Sequence, residues 1–383
     1  MRQKTLALLL ALTMCLGLLT GCKQDAETPD TTPTPSDFTA MELDSATAWA
    51  KHDVDDVVFT VDGSDVTWGE FFYFLNGMTG SVVNSYNVNQ MAFDWDADVG
   101  EGTMSEYLWL QTVETCVQYH VMDAHLTALG VQLTAEDEAA MAKQHQNELT
   151  QYAGEGATEA DFDKVLEDMY MPRAVYDYVN RVSTLYSRAY DTVFGRHGEL
   201  MSDEEIAGFV MDSGYITAKH ILIKTTDETN TPMEGQDLAE KAARATLLLA
   251  RLEEVKSDRD ALLALFDELM AEYSEDPGTQ VYPDGYTFLP GEMVEEFQAG
   301  AEALGDYEVS GLVESDFGYH IILRLPTTRD SVVDYIDGVN DSTVGSYAAA
   351  DAFGKLMESW ISDADIQWAK AFDGVSAKDV FGT

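Results

Sequence analysis

The chain has 383 residues, 69 of them Asp or Glu against 22 Lys or Arg, for a formal net charge of −47. A surface so acidic repels nucleic acid and anionic lipid, which excludes a nucleic-acid-binding protein; it bears on solubility and partners and leaves the fold open.

Residues 1–21 carry Arg2 and Lys4, then an apolar run over 6–19 and no acid. This is the layout of a secretory signal, too short for a membrane span. It closes on LTGC (19–22), which resembles the lipobox of bacterial lipoproteins. The resemblance implies acylation at Cys22, and so an extracytoplasmic protein anchored to the cell membrane without crossing it. Cys15 leaves with the signal, and Cys116, within YLWLQTVETCVQYHVM, reads as a small residue of a helix core. Residues 23–37, KQDAETPDTTPTPSD, bury too little to offset their ordering entropy, so 22–52 is expected to be a flexible tether. Folded protein is expected from about Asp53, and the roughly 330 residues that follow exceed one core, so two or three domains are expected.

VVFTVDGSDVTWGEFFYFL (57–75) predicts a strand, a turn at 62–64 and a helix capped by Thr67, with Glu70 at capping-box spacing. Helical periodicity recurs over 104–129, 136–152 and 159–194, broken at Gly130 and 154–156, and Pro172 can open a new helix. The block 53–214 is therefore predicted to be mainly helical. At AKHILIKT (218–225) the character changes. A strand, helical patterns over 236–256 and 258–273, a turn-rich EDPGTQVYPDGYTF, a helix over 291–304 and strands at 309–314 and 321–325 predict a compact α+β unit, 215–327. A C-terminal segment, 328–383, holds a helix at 342–361 and a strand near 364–372, and is expected to pack back on the N-terminal block.

AKHILIK (218–224), AEYSEDPG (271–278), PGEMVEEF (290–297) and FGYHIILRL (317–325) stand in the order and spacing of the parvulin peptidyl-prolyl cis/trans isomerases, and residues 218–325 resemble that family. The anchor, helical block and returning helix further resemble the PrsA-like extracytoplasmic foldases, whose N-terminal region is similar to that of the chaperone SurA. The resemblance implies an α+β fold: a four-stranded antiparallel sheet with surrounding helices, joined to a mainly helical chaperone-like domain. It implies isomerase and chaperone activity on unfolded exported polypeptides containing X-Pro bonds, with no cofactor.

By the same resemblance His220 and His320 match the family's paired histidines at the floor of the site, and Asp276 the position taken by cysteine or aspartate beside the reacting amide. Phe288, Met293 and Phe297 match the proline-ring pocket; Phe317, also expected among the substrate contacts, occupies a site that is often a small polar residue. Met293 and Phe297, four apart, are expected on one face of one helix. Read without the family, that pair also fits an ordinary core stripe, and Asp276 before Pro277 and Gly278 also fits a turn. One departure stands out. Where the family reads GGDLG-x-F, this chain reads YPDGYTF (282–288), which sets Gly285 at the leucine position and Tyr286 at the glycine, so one wall of the pocket is rebuilt.

No Lys or Arg occurs between Lys224 and Lys241, where Asp227, Glu228, Glu234, Asp237 and Glu240 lie, so an unphosphorylated X-Pro substrate is expected. HExxH, CxxC, GxSxG and a Gly-rich phosphate loop are missing from the sequence, which argues against metal, thiol-redox and serine-hydrolase chemistry. The rival reading is a non-catalytic holdase whose parvulin unit is a degenerate docking platform. A solute-binding lipoprotein is disfavoured by the lack of repeated βα units.

Overall fold

The structure, a computed structural model, describes residues 39–382 apart from 101, 228, 230 and 336–340. The expected signal peptide, Cys22 and the tether up to residue 38 lie outside the described residues. Order begins before Asp53. Helix α1 (Ser45–Trp49) is capped by Asp44, buries Ala48 and sets Trp49 edge-on to Phe72, so apolar burial overrides the polar composition just ahead of it.

A hairpin of β1 (Val57–Val61) and β2 (Ser64–Thr67) follows, so the predicted turn leads into a second strand before the helix α2 (Trp68–Val88) starts at its Thr67 cap. Only half of the expected capping box forms. Thr67 accepts from the Glu70 N–H, but the Glu70 carboxylate turns inward to His120. The helices α3 (Met104–Ala128), α4 (Ala135–Glu148) and α5 (Glu159–Asp168) each open on a complete Thr capping box, at Thr103, Thr134 and Thr158. Helix α6 (Arg173–Ala189) begins directly after Pro172, as a ring-fixed φ favours. Then come α7 (Asp203–Ser213), β3 (Ile216–Lys224), α8 (Gly235–Val255), α9 (Arg259–Tyr273), β4 (Tyr286–Phe288) and α10 (Glu295–Glu302). The chain ends through β5 (Val313–Ser315), β6 (Gly318–Leu325), β7 (Val332–Asp334), β8 (Ser342–Thr343), α11 (Val344–Asp363), β9 (Ile366–Trp368) and α12 (Ala377–Phe381).

Two compact units emerge, one of residues up to Ala189 with Phe353 onward, the other Tyr190–Ala352; the second extends beyond 215–327 at both ends. In the first, β9 pairs antiparallel with β1 to give the order β2-β1-β9, with Phe59 facing Trp368. Its core is aromatic: Phe59, Trp68, Phe71 and Phe72 are fully buried, Phe372 stacks on Trp68, and Phe381 of α12 lies against Phe72. In the second, four antiparallel strands run in the order β4-β3-β6-β5. Alternation sends Ile221, Ile223, Ile321 and Leu323 to one face, against Leu248, Leu252, Phe266 and Leu269 of α8 and α9. The opposite face carries Ala218, His220, His320 and Ile322.

Ending the chain at Asp363 removes β9, Phe372 and α12, and so uncovers Phe59, Trp68 and Phe72 of the first unit. The melting temperature of that unit should fall by roughly 10 °C or more. Calorimetry on the full and shortened chains checks this, and an unchanged transition would show that the C-terminal residues add nothing to the core.

Candidate active site

The second face of the four-stranded sheet gathers residues that are far apart in sequence. His220 of β3 faces Ile322 across the ladder, and Leu222 faces His320, so the two histidines lie on one face as diagonal neighbours. Their Nδ1 atoms meet at 3.0 Å with ring planes 18° apart. Both rings are buried, at 7% and 3% exposure, and Phe297 of α10 lies edge-on to both.

Asp276 reaches His220 from the outer side of β3. Past the end of β4 that strand edge is taken by residues 274 and 275. Glu275 donates its N–H to the Leu222 carbonyl, Ser274 Oγ accepts from the Leu222 N–H, and the Glu275 carboxylate accepts from the Lys224 N–H. Lys241 then holds Glu275 at 2.6 Å. So tethered, Asp276 caps the turn Pro277–Gln280 with Oδ1 on the Gly278 N–H, and turns Oδ2 to His220 Nε2 at 2.8 Å.

Two further residues join the line that the sequence reading did not assign to the site. Tyr286, facing Ala218 from β4, donates its hydroxyl to the same Asp276 Oδ2 at 2.6 Å. Ser315, at the end of β5, lies 2.7 Å from His320 Nε2. The departure at YPDGYTF was a signal for Tyr286; for Ser315, only its strand alternation with Val313, which faces His320, could have served.

The tautomers follow from the ends of this line. A carboxylate only accepts, so His220 donates from Nε2. One proton is shared between the His220 and His320 Nδ1 atoms, and the Ser315 hydroxyl completes the pairing at His320 Nε2. Burial, and next the adjacent His220, push the His320 imidazole down to about 4. Burial by itself would raise the Asp276 carboxyl, but hydrogen bonds from His220 and Tyr286 outweigh it and hold the group at about 2. The Tyr286 phenol is raised, by burial first and then by the carboxylate it binds.

Phe288 and Phe297 are almost fully buried beside the histidines, in a cluster with Ile216, Ala218, Ala301 and Ile322. Met293 packs on that cluster, but it does not share a helix with Phe297. The turn between Leu289 and Glu292 and the acids Glu295 and Glu296 set the helix start at Glu295, with Val294 as its cap. Phe317 stands on the β5–β6 turn, 53% exposed, its N–H donated to Ser315 Oγ.

Comparison with known proteins bears on this site. Residues 220–325 match the family described as a rotamase, the PPIC-type PPIase domain. The chain is 32% identical over 148 residues to a foldase protein PrsA of Geobacillus kaustophilus, covering 38% of this chain and 51% of that one. It is 37% identical over 109 residues to a chaperone SurA of Alkalilimnicola ehrlichii, covering 27% and 21%. Those stretches thus span about half or less of the relatives' length. A foldase protein PrsA of Clostridium perfringens aligns over 328 residues at 23% identity, covering 81% of this chain and 85% of that one.

The buried neutral imidazole has a consequence for stability. Unfolded, His320 titrates near 6.5 and takes up a proton that the folded chain refuses until about 4. Its contribution is therefore complete above pH 6.5 and is lost as the pH falls toward 4, on the order of 2 kcal/mol between pH 7 and pH 5. The Asp276 contribution is lost only below 3.8. Urea unfolding at the two pH values should show that loss in the parent and a flatter dependence in His320→Gln; equal slopes would overturn the assignment.

Proposed function

Taking residues 220–325 as a member of the PPIC-type PPIase family, we propose that this protein catalyses cis/trans interconversion of X-Pro bonds in unfolded polypeptides and so acts as a foldase. Rotation about an amide must break its resonance, against a barrier of about 18–20 kcal/mol. Lowering that barrier needs no covalent chemistry. It needs a dry surface that seats the proline ring, and fixed polar groups that favour the twisted amide over the planar one.

The observation that carries this reading is the unbroken line Ser315–His320–His220–Asp276 lying beside Phe297. Every ring nitrogen in it is engaged, and Asp276 accepts from His220, Tyr286 and Gly278, which leaves it a poor nucleophile. Such a site acts through shape and a pre-set field. Phe288, Met293 and Phe297 offer the apolar surface for the proline ring, and Asp276 supplies a fixed negative charge at its edge; Phe317, exposed on the neighbouring turn, is placed to meet the flanking chain. A protease-free exchange assay on a short X-Pro peptide tests it. His220→Ala/His320→Ala should lower kcat/KM at least roughly tenfold with the fold retained. An unchanged rate would favour the holdase.

Client holding has support of its own in the first unit. A recess of about 240 Å³ is lined by Met141, His145, Arg173 and Tyr176. A second, lined in part by Tyr73, Phe162, Val165, Met169 and Met171, shares Tyr176 with it. The second hollow, rich in aromatic and apolar residues, suits side chains of an unfolded client.

We also propose that the protein works outside the cytoplasm, anchored by a lipid on Cys22. The support is the LTGC sequence after an apolar run. Cys22→Ser should release the protein from the membrane fraction or leave it unprocessed. A variant that is still cleaved and membrane-bound would remove the anchor from the proposal.

A further inference from the structure

We propose that Tyr286 is a positioning residue of the isomerase site, clamping Asp276 through its hydroxyl so that the histidine line keeps one geometry, and that the phenol fits there because Gly278 has no side chain. The inference rests on the isomerase reading for its kinetic consequences but not for its geometry.

The local backbone brings Tyr286 to the site. Gly285, at φ +100, makes the turn into β4, and a Cβ there would stand 2.8 Å from the Ala218 carbonyl oxygen. The strand then sets Tyr286 opposite Ala218, diagonal to His220, with the phenol edge-on to that imidazole at 5.7 Å. Tyr282 packs on the phenol at 4.9 Å, and Tyr335 lies against Tyr282, so the ring is held from behind.

At the carboxylate, Tyr286 and His220 share Oδ2 while the Gly278 N–H takes Oδ1. Three donors from three segments define both the position and the rotation of the group. Removing the phenol hydroxyl leaves Oδ2 tied to a single imidazole and Oδ1 to the Gly278 N–H, so the carboxylate is held by one donor fewer and its rotation is less tightly fixed. Gly278 supplies the space for this contact. Its backbone lies outside the left-handed region, so glycine is not demanded by conformation, yet a Cβ there would overlap the Tyr286 hydroxyl. Space for the phenol is the service this glycine performs.

The test uses the full chain. Tyr286→Phe keeps the ring and should lower kcat/KM for an X-Pro peptide roughly three- to tenfold, mainly through kcat, as loss of one hydrogen bond to a charged group would. The acid limb of the rate profile should move to higher pH, because the carboxylate has lost a donor. In an Asp276→Ala background the same change should have no further effect. Two-bond ¹⁵N spectra of the imidazoles read the geometry without activity: the His220 signals should shift or broaden in Tyr286→Phe. Gly278→Ala should lower the melting temperature in the parent and clearly less in Tyr286→Ala, where only the Asp276 carboxylate still approaches the added Cβ. Unaltered His220 signals, or a Gly278→Ala penalty undiminished without the phenol, would overturn the proposal. A parent with no isomerase activity would sink the functional reading alone, because the spectra and the melting temperatures still decide the clamp.

Discussion

On an antiparallel ladder, a side chain has a direct partner across the strand and a diagonal one two residues away. The hydrogen bond between His220 and His320 uses the diagonal, since their direct partners are Ile322 and Leu222. That offset repeats on both sides. Ser315 lies two residues from the partner of His320, and Tyr286 faces Ala218, two residues before His220. The polar line therefore crosses the sheet obliquely from β5 to β4, and each member is placed by backbone register.

Such a line is stable only if it is complete. A buried imidazole or carboxylate without a partner costs free energy that no neighbouring contact returns, whereas a satisfied network rigidifies the site. Here the ends are closed by the Ser315 hydroxyl and the Tyr286 phenol, both from loop-proximal strand ends. The opposite face of the sheet packs Ile221, Ile223, Ile321 and Leu323 on α8 and α9, with Lys219 paired to Asp267 of α9, which anchors the register on which the line depends.

The first unit shows that a buried histidine does not by itself mark a site of chemistry. His120 of α3 is almost as inaccessible as His220 and also meets a carboxylate, that of Glu70, along with Ser64. It lies inside a helical core and fastens α2 and the β1–β2 hairpin to α3. The difference lies in surroundings. His220 stands on a sheet face whose edge is formed by a short, turn-rich segment at 274–278, next to aromatic rings contributed by a separate helix.

Much of the local structure was legible in the sequence, because periodicity and caps act over a few residues. The long helices, the Thr67 start of α2, the strand at 218–224 and the helices on either side of Asp258 all follow from spacing and capping chemistry. His220, Asp276 and His320 were singled out by resemblance to a family, through contiguous flanking motifs, and their side chains meet in the structure. Local signals misjudged Met293, where a turn from Leu289 to Glu292 competed with helix propagation, and they ran the β1–β2 hairpin into one strand and a turn. What only the tertiary structure decided is who touches whom. The pairing of β9 with β1, the Ser315 contact and the seat of Tyr286 on Asp276 join residues through register and through space cleared at Gly278, and neither is written in the spacing of any single segment.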